Sequence, residues 1–418
     1  MGKALSIMLV LTIFGPNVIM LFSFHAVPVW SIQTIATKTS VFGYCPIALD
    51  SGNNPHIAYG GAYSSWNGSA WNTQKLANGT VYDLALDKNN NPHILLDGAD
   101  RGLLYATWTE QNWITQTVDR NSTRFGRFGA LVLDSAGNPH IAYTDDYKLV
   151  KYASKTGANW DIQTIDTSQS DYAPRVSIAV DANNTINLVY GSAADVKLAA
   201  YTNSTWRIQT VASDMDSLGN IVLDSKGYPH LIYARDFSES YPPNIAIVYA
   251  SWDGAAWNSQ KAVSNVTTGG VGTRGGFFTM GCLLLDSHDN PHIAYVNDFA
   301  SVPFGWGNLV YASWTGKTWD AEKVNSTILA QSCYLALDSD DNPQISFMGV
   351  TDGSEEALLT GAYTWISPVM YATAAMSSAT EPTETAILTA VIIVLFIAIA
   401  TVAILLVYLK KRHKPKSV

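Results

Sequence analysis

The stretch Leu133–Tyr143, LDSAGNPHIAY, places an Asp, a Gly-Asn-Pro turn and a His within eleven residues, and the chain carries seven copies of this pattern. The copies are anchored on Asp50, Asp87, Asp134, Asp181, Asp224, Asp286 and Asp338. A carboxylate and an imidazole at fixed spacing suit acid–base work, metal ligation or a hydrogen-bonded turn. For a metal, several imidazoles must converge at roughly 2 Å from one ion. Here His56, His93, His140, His230 and His292 come one per copy, with Asn187 and Gln344 in the remaining two. Asn and Gln keep hydrogen-bonding capacity but replace a metal-binding imidazole poorly, so hydrogen bonding between repeats is the expected role. The Asp falls where a strand meets a turn, and its carboxylate is expected to accept the turn's backbone N–H groups. The segments DKNNN (Asp87, Asn89, Asn91) and DSDDN (Asp338, Asp340, Asn342) match the opening of a calcium loop. They lack the later bidentate Glu, so calcium is a weak signal and no metal or cofactor is expected.

These groups need a scaffold, and the repeat supplies one. Successive motif Asp residues lie 37, 47, 47, 43, 62 and 52 positions apart, which brackets the length of a four-stranded propeller blade. Period-2 alternation and turn residues divide each repeat into four strands. Strand A ends in LALD-like residues, B is PHIAY, C is LVYASW, and D follows a TGKT-like turn as WDIQTI. D strands begin at Trp30, Trp71, Trp113, Trp160, Trp206, Trp257 and Trp319, the first of them before any A strand. The seventh repeat has A, B and C strands (C being Val369–Ala374) but no D strand. WSIQTI from the N-terminal side is therefore expected to complete it and remove the open edge. The expectation is an all-β, seven-bladed β-propeller of four-stranded blades spanning 27–376.

The ends of the chain read differently. Lys3 and the apolar run Ala4–Phe24 form a secretory signal over 1–26, with a poor cleavage site that leaves an uncleaved anchor open. After a Ser/Thr/Pro stalk at 377–385, residues 386–408 carry no charge, and a membrane helix needs about 20 such residues. The basic tail 409–418, with Lys410, Lys411, Arg412, Lys414 and Lys416, is expected to stay cytoplasmic, which places the propeller outside the cell. N-glycosylation sequons begin at Asn67, Asn78, Asn121, Asn183, Asn203, Asn265 and Asn325. Setting aside Lys3 and the five tail cations, the 25 basic and 34 acidic residues leave the outer part at about −15, which disfavours nucleic acid as a partner. Three cysteines cannot all pair. Cys45 and Cys333 hold the same place in the first and last repeats, either bonded or as buried thiols, while Cys282 is expected to be free.

The LDSxGNPHIAY and YASWxGxxW segments resemble those of archaeal and bacterial surface proteins built from such repeats, loosely related to sialidase-type propellers. SWDGAAW (Ser251–Trp257) is similar to the sialidase Asp-box but one residue shorter. The resemblance covers nearly the whole outer part and implies a secreted or surface-anchored propeller without fixing an activity.

Function is expected where repeats differ. From motif Asp to C strand the distance is 13 to 18 residues in the first four repeats, then 25, 25 and 33. The connection Ser264–Gly281 is also long. In a four-stranded meander the B–C and D–A loops share one face, so these insertions bring together Arg235, Asp236, Tyr241, Arg274, Phe277, Phe278, Asp298, Phe304, Trp306, Asp352, Glu355 and Glu356. Aromatic faces beside carboxylates and arginines suit a glycan or a protein ligand. The chain leaves the propeller from the opposite face, so the decorated face should point away from the membrane. The repeated Trp and Tyr are expected to pack between blades, with sugar stacking as the other reading. A sialidase-like glycoside hydrolase is the alternative function. However, there is no FRIP-like motif, and only Glu110, Glu239, Glu322, Glu355 and Glu356 fall in the propeller.

Overall fold

A computed structural model describes residues 28–40, 44–76, 79–98, 102–109, 111–120, 128–145, 148–169, 174–237, 245–266, 281–297, 307–325, 328–350 and 366–376. The signal segment, the stalk, the apolar run 386–408 and the basic tail lie outside these residues. One compact unit spans Trp30–Ala374, and a second consists of the two chain ends, Met1–Val29 and Ala375–Val418. Among the described residues there are 28 strands and no helix.

Repeats 1 to 5 each form a separate four-stranded antiparallel meander in chain order. Burial changes systematically across a meander. The B strand Pro55–Tyr59 is buried at every position, because it is flanked by strands on both sides and covered on both faces. The D strand Trp71–Lys75 is exposed at three of its positions and buried at none, as an outer edge strand must be. A–B hairpins share one geometry, shown by repeat 1. Asp50 N–H donates to Asn54 C=O at 3.0 Å and Asn53 N–H to Asp50 C=O at 2.9 Å. The third residue after the Asp then takes positive φ: Asn53 63°, Asn90 64°, Asn184 61°, Asp289 62° and Asp341 64°, with glycine at 137 and 227. Only Gly, Asn and Asp enter this region readily, which explains the motif's Gly/Asn/Asp variation. The Pro that follows opens strand B, where its missing N–H leaves no partner wanting.

The A strands lie against one another in sequence: Ile47–Leu49 on Val81–Leu86, then Gly129–Leu133, Val176–Val180, Ser217–Leu223, Cys282–Leu285 and Leu329–Leu337, which returns to Ile47–Leu49. The hydrophobic core is accordingly split into clusters shared by neighbouring repeats. One unites Ala58 and Tyr63 with Val81, Leu84 and Ile94. Another unites Cys45 and Ile57 with Ala336, Met348 and Val369 across the junction of the last repeat and the first.

Repeats 6 and 7 depart from the expected separate blades by joining into an eight-stranded sheet, in which the N-terminal strand Pro28–Ser40 lies beside Ile366–Met376. The link is the pairing of Gly307 with Ala330 and Asn308 with Leu329. Its cause is the short D strand of repeat 6, Trp319–Lys323, whose pairing with the C strand reaches no further than Val310 opposite Lys323. Gly307 and Asn308 then lack a D-strand partner, and the incoming chain fills the edge before bulging between Ala330 and Ser332.

Candidate functional site

Each motif Asp closes its own turn. Asp134 Oδ1 accepts the N–H of Ala136 at 2.9 Å and of Asn138 at 2.7 Å, and the same two contacts recur at Asp50, Asp87, Asp181, Asp224, Asp286 and Asp338. In the two calcium-like segments the carboxylates are therefore aimed at the chain's own amides. Burial acts to raise the pKa of Asp50, Asp87 and Asp134, but these donors more than offset it and hold the carboxyls below their ordinary value.

The expected hydrogen bonding of the histidines between repeats is not what the structure shows. Each bonds within its own meander, between strands B and C. His140 Nδ1 and the Tyr152 hydroxyl are 2.5 Å apart, and His56–Tyr63, His93–Tyr105, His230–Tyr249 and His292–Tyr311 make the same hydrogen bond. Nε2 faces the motif carboxylate at 3.5 to 3.8 Å, an ion-pair distance rather than a hydrogen bond. Burial lowers the pKa of His56, His93, His140 and His230 despite that carboxylate, and it raises Tyr152 and Tyr249 to about 12. A neutral imidazole accepting from a neutral phenol fits both shifts. The exceptions are paired. Repeat 4 has Asn187 for His and Leu198 for Tyr, so neither partner is stranded. In repeat 7 the Tyr371 hydroxyl donates to Gln344 Oε1 at 2.7 Å.

Between repeats the aromatics do the joining. Tyr63 meets Trp113 edge-on at 5.3 Å between ring centroids, Tyr105 meets Trp160 at 5.3 Å, Tyr152 meets Trp206 at 5.1 Å and Tyr249 meets Trp319 at 5.7 Å. The junction made by the N-terminal strand follows the same rule, with Tyr311 on Trp30 and Tyr371 on Trp71, both at 5.5 Å. Four of the indoles also donate to the residue three places after the Trp of the preceding D strand. Trp113 Nε1–H donates to Gln74 at 3.0 Å, Trp206 to Gln163 at 3.0 Å, Trp71 to Gln33 at 3.2 Å and Trp30 to Glu322 at 2.8 Å. At the equivalent places in other repeats, Trp160, Trp257 and Trp319 Nε1 are buried without a hydrogen-bond partner among the described residues.

A further set of contacts links A–B turns of adjacent repeats. Ser225 N–H and hydroxyl donate to Asp289 at 2.9 and 2.6 Å, and Ser287 donates likewise to Asp341. Ser51 pairs with Asn90, Ser135 with Asn184, and Ser339 with Asn53 across the closure. Where the Ser is replaced, by Lys88 and Ala182, the next repeat has Gly137 and Gly227 instead of a side-chain acceptor. The sequence carries both signals, W-x-x-Q/E and this Ser–Asn/Asp matching, but they are visible only when adjacent copies are compared.

Cys45, Cys282 and Cys333 are free thiols, and burial pushes Cys45 and Cys282 up to about 12. Among the described residues, Asp286, His288 and Asp341 bring possible metal-ligand atoms within 4.8 Å of one another, on the turn face. Both carboxylates there already accept donors, from His288 N–H and from Ser287.

Of the residues expected to bind a ligand, Arg235 and Asp236 are described, at the end of the repeat 5 B strand Pro229–Asp236. Tyr241, Arg274, Phe277, Phe278, Asp298, Phe304, Trp306, Asp352, Glu355 and Glu356 lie outside the described residues. Arg235 Nη2 meets Asp214 at 3.2 Å, while its buried Nε has no hydrogen-bond partner among the described residues. The guanidinium carbon lies 4.9 Å from the centre of the Phe237 ring and Lys261 Nζ lies 3.6 Å from it, so Phe237 contacts two cations. The Asp236 N–H donates to Asp216 at 2.6 Å. The positions equivalent to Arg235 are Gly61, Gly98, Asp145, Ser192, Asn297 and Gly349, so the arginine is outside the repeat's grammar, whereas in sequence Phe237 has a counterpart in Phe299 and Lys261 in Lys75 and Lys323.

No protein-family model matches the chain, and no curated protein matches it. Solved structures do. The SapL1 lectin, solved with alpha methyl fucoside, is 13% identical with a TM-score of 0.46, covering 68% of this chain and 97% of that one. The fucose-specific lectin from Aleuria aurantia is 11% identical with a TM-score of 0.46, covering 68% and 96%. An ulvan lyase from a polysaccharide lyase family is 12% identical with a TM-score of 0.49, covering 75% and 93%. At such identities and scores these are likenesses of fold and leave the ligand open.

Proposed function

We propose that this chain is a membrane-anchored, cell-surface, seven-bladed β-propeller that recognises a glycan or a protein through the long loops of repeats 5 to 7, without catalysis. The blade count is supported by seven motif copies and by the cyclic contact of their A strands, with repeats 6 and 7 counted separately despite their joined sheet. Anchoring and outward orientation rest on the apolar run 386–408, the basic tail and the direction of the last C strand. The observation that carries the recognition reading is the Arg235–Phe237–Lys261 cluster with Asp214 and Asp216. It is a mixed aromatic and charged surface at the edge of the long loops, centred on Arg235, whose place no other repeat fills with a cation. Such surfaces combine apolar contact with directional polar groups, which is what sugar and protein ligands need. The repeat residues, by contrast, are occupied in holding the fold.

The test is a glycan array, with whole-cell binding as its counterpart for protein ligands, using the full chain in detergent. Binding lost on Arg235→Ala or Trp306→Ala with an unchanged melting temperature supports the reading. Turnover of fluorogenic glycosides, abolished by Glu355→Gln, would replace it with a hydrolase.

A further inference from the structure

The N-x-S/T sequons belong neither to the repeat's hydrogen bonding nor to the loop cluster, and the fold places them in different surroundings. Asn78, Asn121 and the side chain of Asn265 lie outside the described residues. Asn67, Asn183 and Asn203 are exposed, on turns of repeats 1 and 4 that all belong to the A–B and C–D turn face. Asn325 is half-buried beside the buried Val324, and its Oδ1 accepts the Ile328 N–H at 3.1 Å, which ties it into the D–A connection.

An Asn amide can be modified only where its nitrogen reaches solvent. At Asn67 the turn fixes which atom does so, because Oδ1 accepts the N–H of Ser69 at 3.0 Å, the N–H of Ala70 at 2.9 Å and the Ser69 hydroxyl at 2.9 Å. Backbone N–H groups only donate, so the amide oxygen faces the turn and Nδ2 is directed away from it. Asn203 stands with Ser204 at the tip of a hairpin closed by the pairing of Thr202 with Thr205, both tip residues having positive φ, 51° and 60°. In the A–B turn of repeat 4, Asn184 accepts from Ser135 of the repeat before, while the exposed Asn183 makes no side-chain hydrogen bond among the described residues.

Two of these turns also carry a half-buried ring just before the Asn. Trp66 adjoins Asn67 and lies 5.5 Å from Trp71, and Tyr201 stands two residues before Asn203 and 5.0 Å from Trp206. Each ring is held by its partner and keeps part of its surface in solvent, where the C–H face of a first sugar can lie against it.

We propose that Asn67, Asn183 and Asn203 carry N-linked glycans, and that the glycans on Asn67 and Asn203 pack on Trp66 and Tyr201. The step joins Asn Nδ2 to C1 of the first sugar of an oligosaccharide carried on a lipid phosphate or pyrophosphate. The bond from C1 to the phosphate oxygen breaks, the lipid phosphate or pyrophosphate leaves with the bonding pair, and the amide proton passes to the transferase. Donor and transferase act outside the cytoplasm, so the proposal rests on the cell-surface placement. These glycans stand on the face opposite the long loops and leave the Arg235 cluster uncovered.

The experiment isolates the full chain from the membranes of a host that has such a transferase and from the same host without it. With the transferase, peptide mass spectrometry should find the Asn67, Asn183 and Asn203 peptides each heavier by an oligosaccharide and the Asn325 peptide unshifted. Ser69→Ala and Thr205→Ala should each remove the shift at their own Asn and leave the others. Thr205→Ala should also lower the melting temperature by about a degree more in the glycosylated chain than in the unglycosylated one, and this extra loss should vanish in a Tyr201→Thr background. Ser69→Ala and Trp66→Thr should behave in the same way. A chain that an external protease cuts on intact cells, yet that is unmodified at Asn67, Asn183 and Asn203, overturns the sites alone. Asn325 occupied as fully as Asn67 overturns the distinction between exposed and half-buried sequons, and an extra loss that persists in both aromatic variants overturns the packing. A chain neither cut from outside nor modified sinks the surface placement together with the sites.

Discussion

The two faces of the ring are built on opposite principles. On the A–B and C–D turn face, a carboxylate closes each turn, a Ser of five repeats reaches the next turn, and Trp pairs flank the C–D hairpins, as Trp66–Trp71 does at 5.5 Å. Nearly every polar group there has a partner that the next repeat supplies again. On the other face, repeat 5 places Arg235, which occurs once at its position in the repeat, beside Phe237, Lys261 and Asp214, with Asp214 largely exposed and Arg235 about a third exposed. Repetition is what stability requires of a ring, because one poor junction opens the whole. Singularity is what recognition requires, because a ligand is read by groups that differ from their surroundings.

That contrast can be broken by experiment. The largest effect is expected at the closure. Trp30→Ala removes the edge contact with Tyr311 and the hydrogen bond to Glu322, and should cost about 3 kcal/mol in urea unfolding. A loss no larger than that of an exposed substitution would mean the N-terminal strand does not complete the ring.

Next comes the His–Tyr pair. His140→Asn leaves the Tyr152 hydroxyl without its acceptor and should cost about 1 to 3 kcal/mol. Adding Tyr152→Leu, which reproduces the Asn187 and Leu198 of repeat 4, should recover part of that loss. A double-mutant cycle with no coupling would show the pair to be incidental.

The same histidines set a pH dependence. Their folded pKa values lie below the ordinary value near 6.5, so the unfolded chain takes up protons first. Their contribution is present above that value and lost as pH falls through it. Asp83 works the other way. Burial raises it to about 6, so its contribution is present at low pH and lost as pH rises through that value. Four histidines against one aspartate predict a lower urea midpoint at pH 5.5 than at pH 7.5. Below about 4, protonation of Asp50, Asp87 and Asp134 should add a second loss. A flat profile between pH 7.5 and 5.5 would contradict the buried neutral imidazoles.

The smallest effect is a gain. Lys88→Ser with Gly137→Asn supplies the turn contact missing between repeats 2 and 3. Gly137 has φ 83°, a value Asn tolerates, and a Cβ there meets nothing within 4 Å. The pair should add about 0.5 kcal/mol, read as a small rise in melting temperature, with neither change effective alone.

Much of the scaffold was legible in the sequence because the repeat states it seven times. The motif Asp marks each turn, the Pro marks the start of strand B, and the unmatched D strand at Trp30 announces that the N-terminus completes the last repeat. What escaped were relations between copies. The His was read as a bridge between repeats because its partner, the Tyr of strand C, lies at a distance that varies with the B–C loop, 12 residues away in repeat 3 and 19 in repeat 5. The joining of repeats 6 and 7 escaped because it depends on a D strand whose pairing stops at Val310, short of Gly307 and Asn308. Arg235 was singled out by its loop, whereas Phe237 and Lys261 were not, since nothing in one copy says which side chains meet above a B strand.

The most direct test of the central claim compares one substitution on each face in the same full-length chain. Binding to the glycan array and melting temperature are measured for Arg235→Ala and for Trp113→Ala. Arg235→Ala should abolish binding and leave the melting temperature within about a degree, whereas Trp113→Ala, which loses Tyr63 and Gln74, should lower it by several degrees and leave binding below that temperature unchanged. Binding that survives Arg235→Ala but is lost with Trp113→Ala at a temperature where the chain is folded would contradict it, and would move recognition to the aromatic junctions of the repeat.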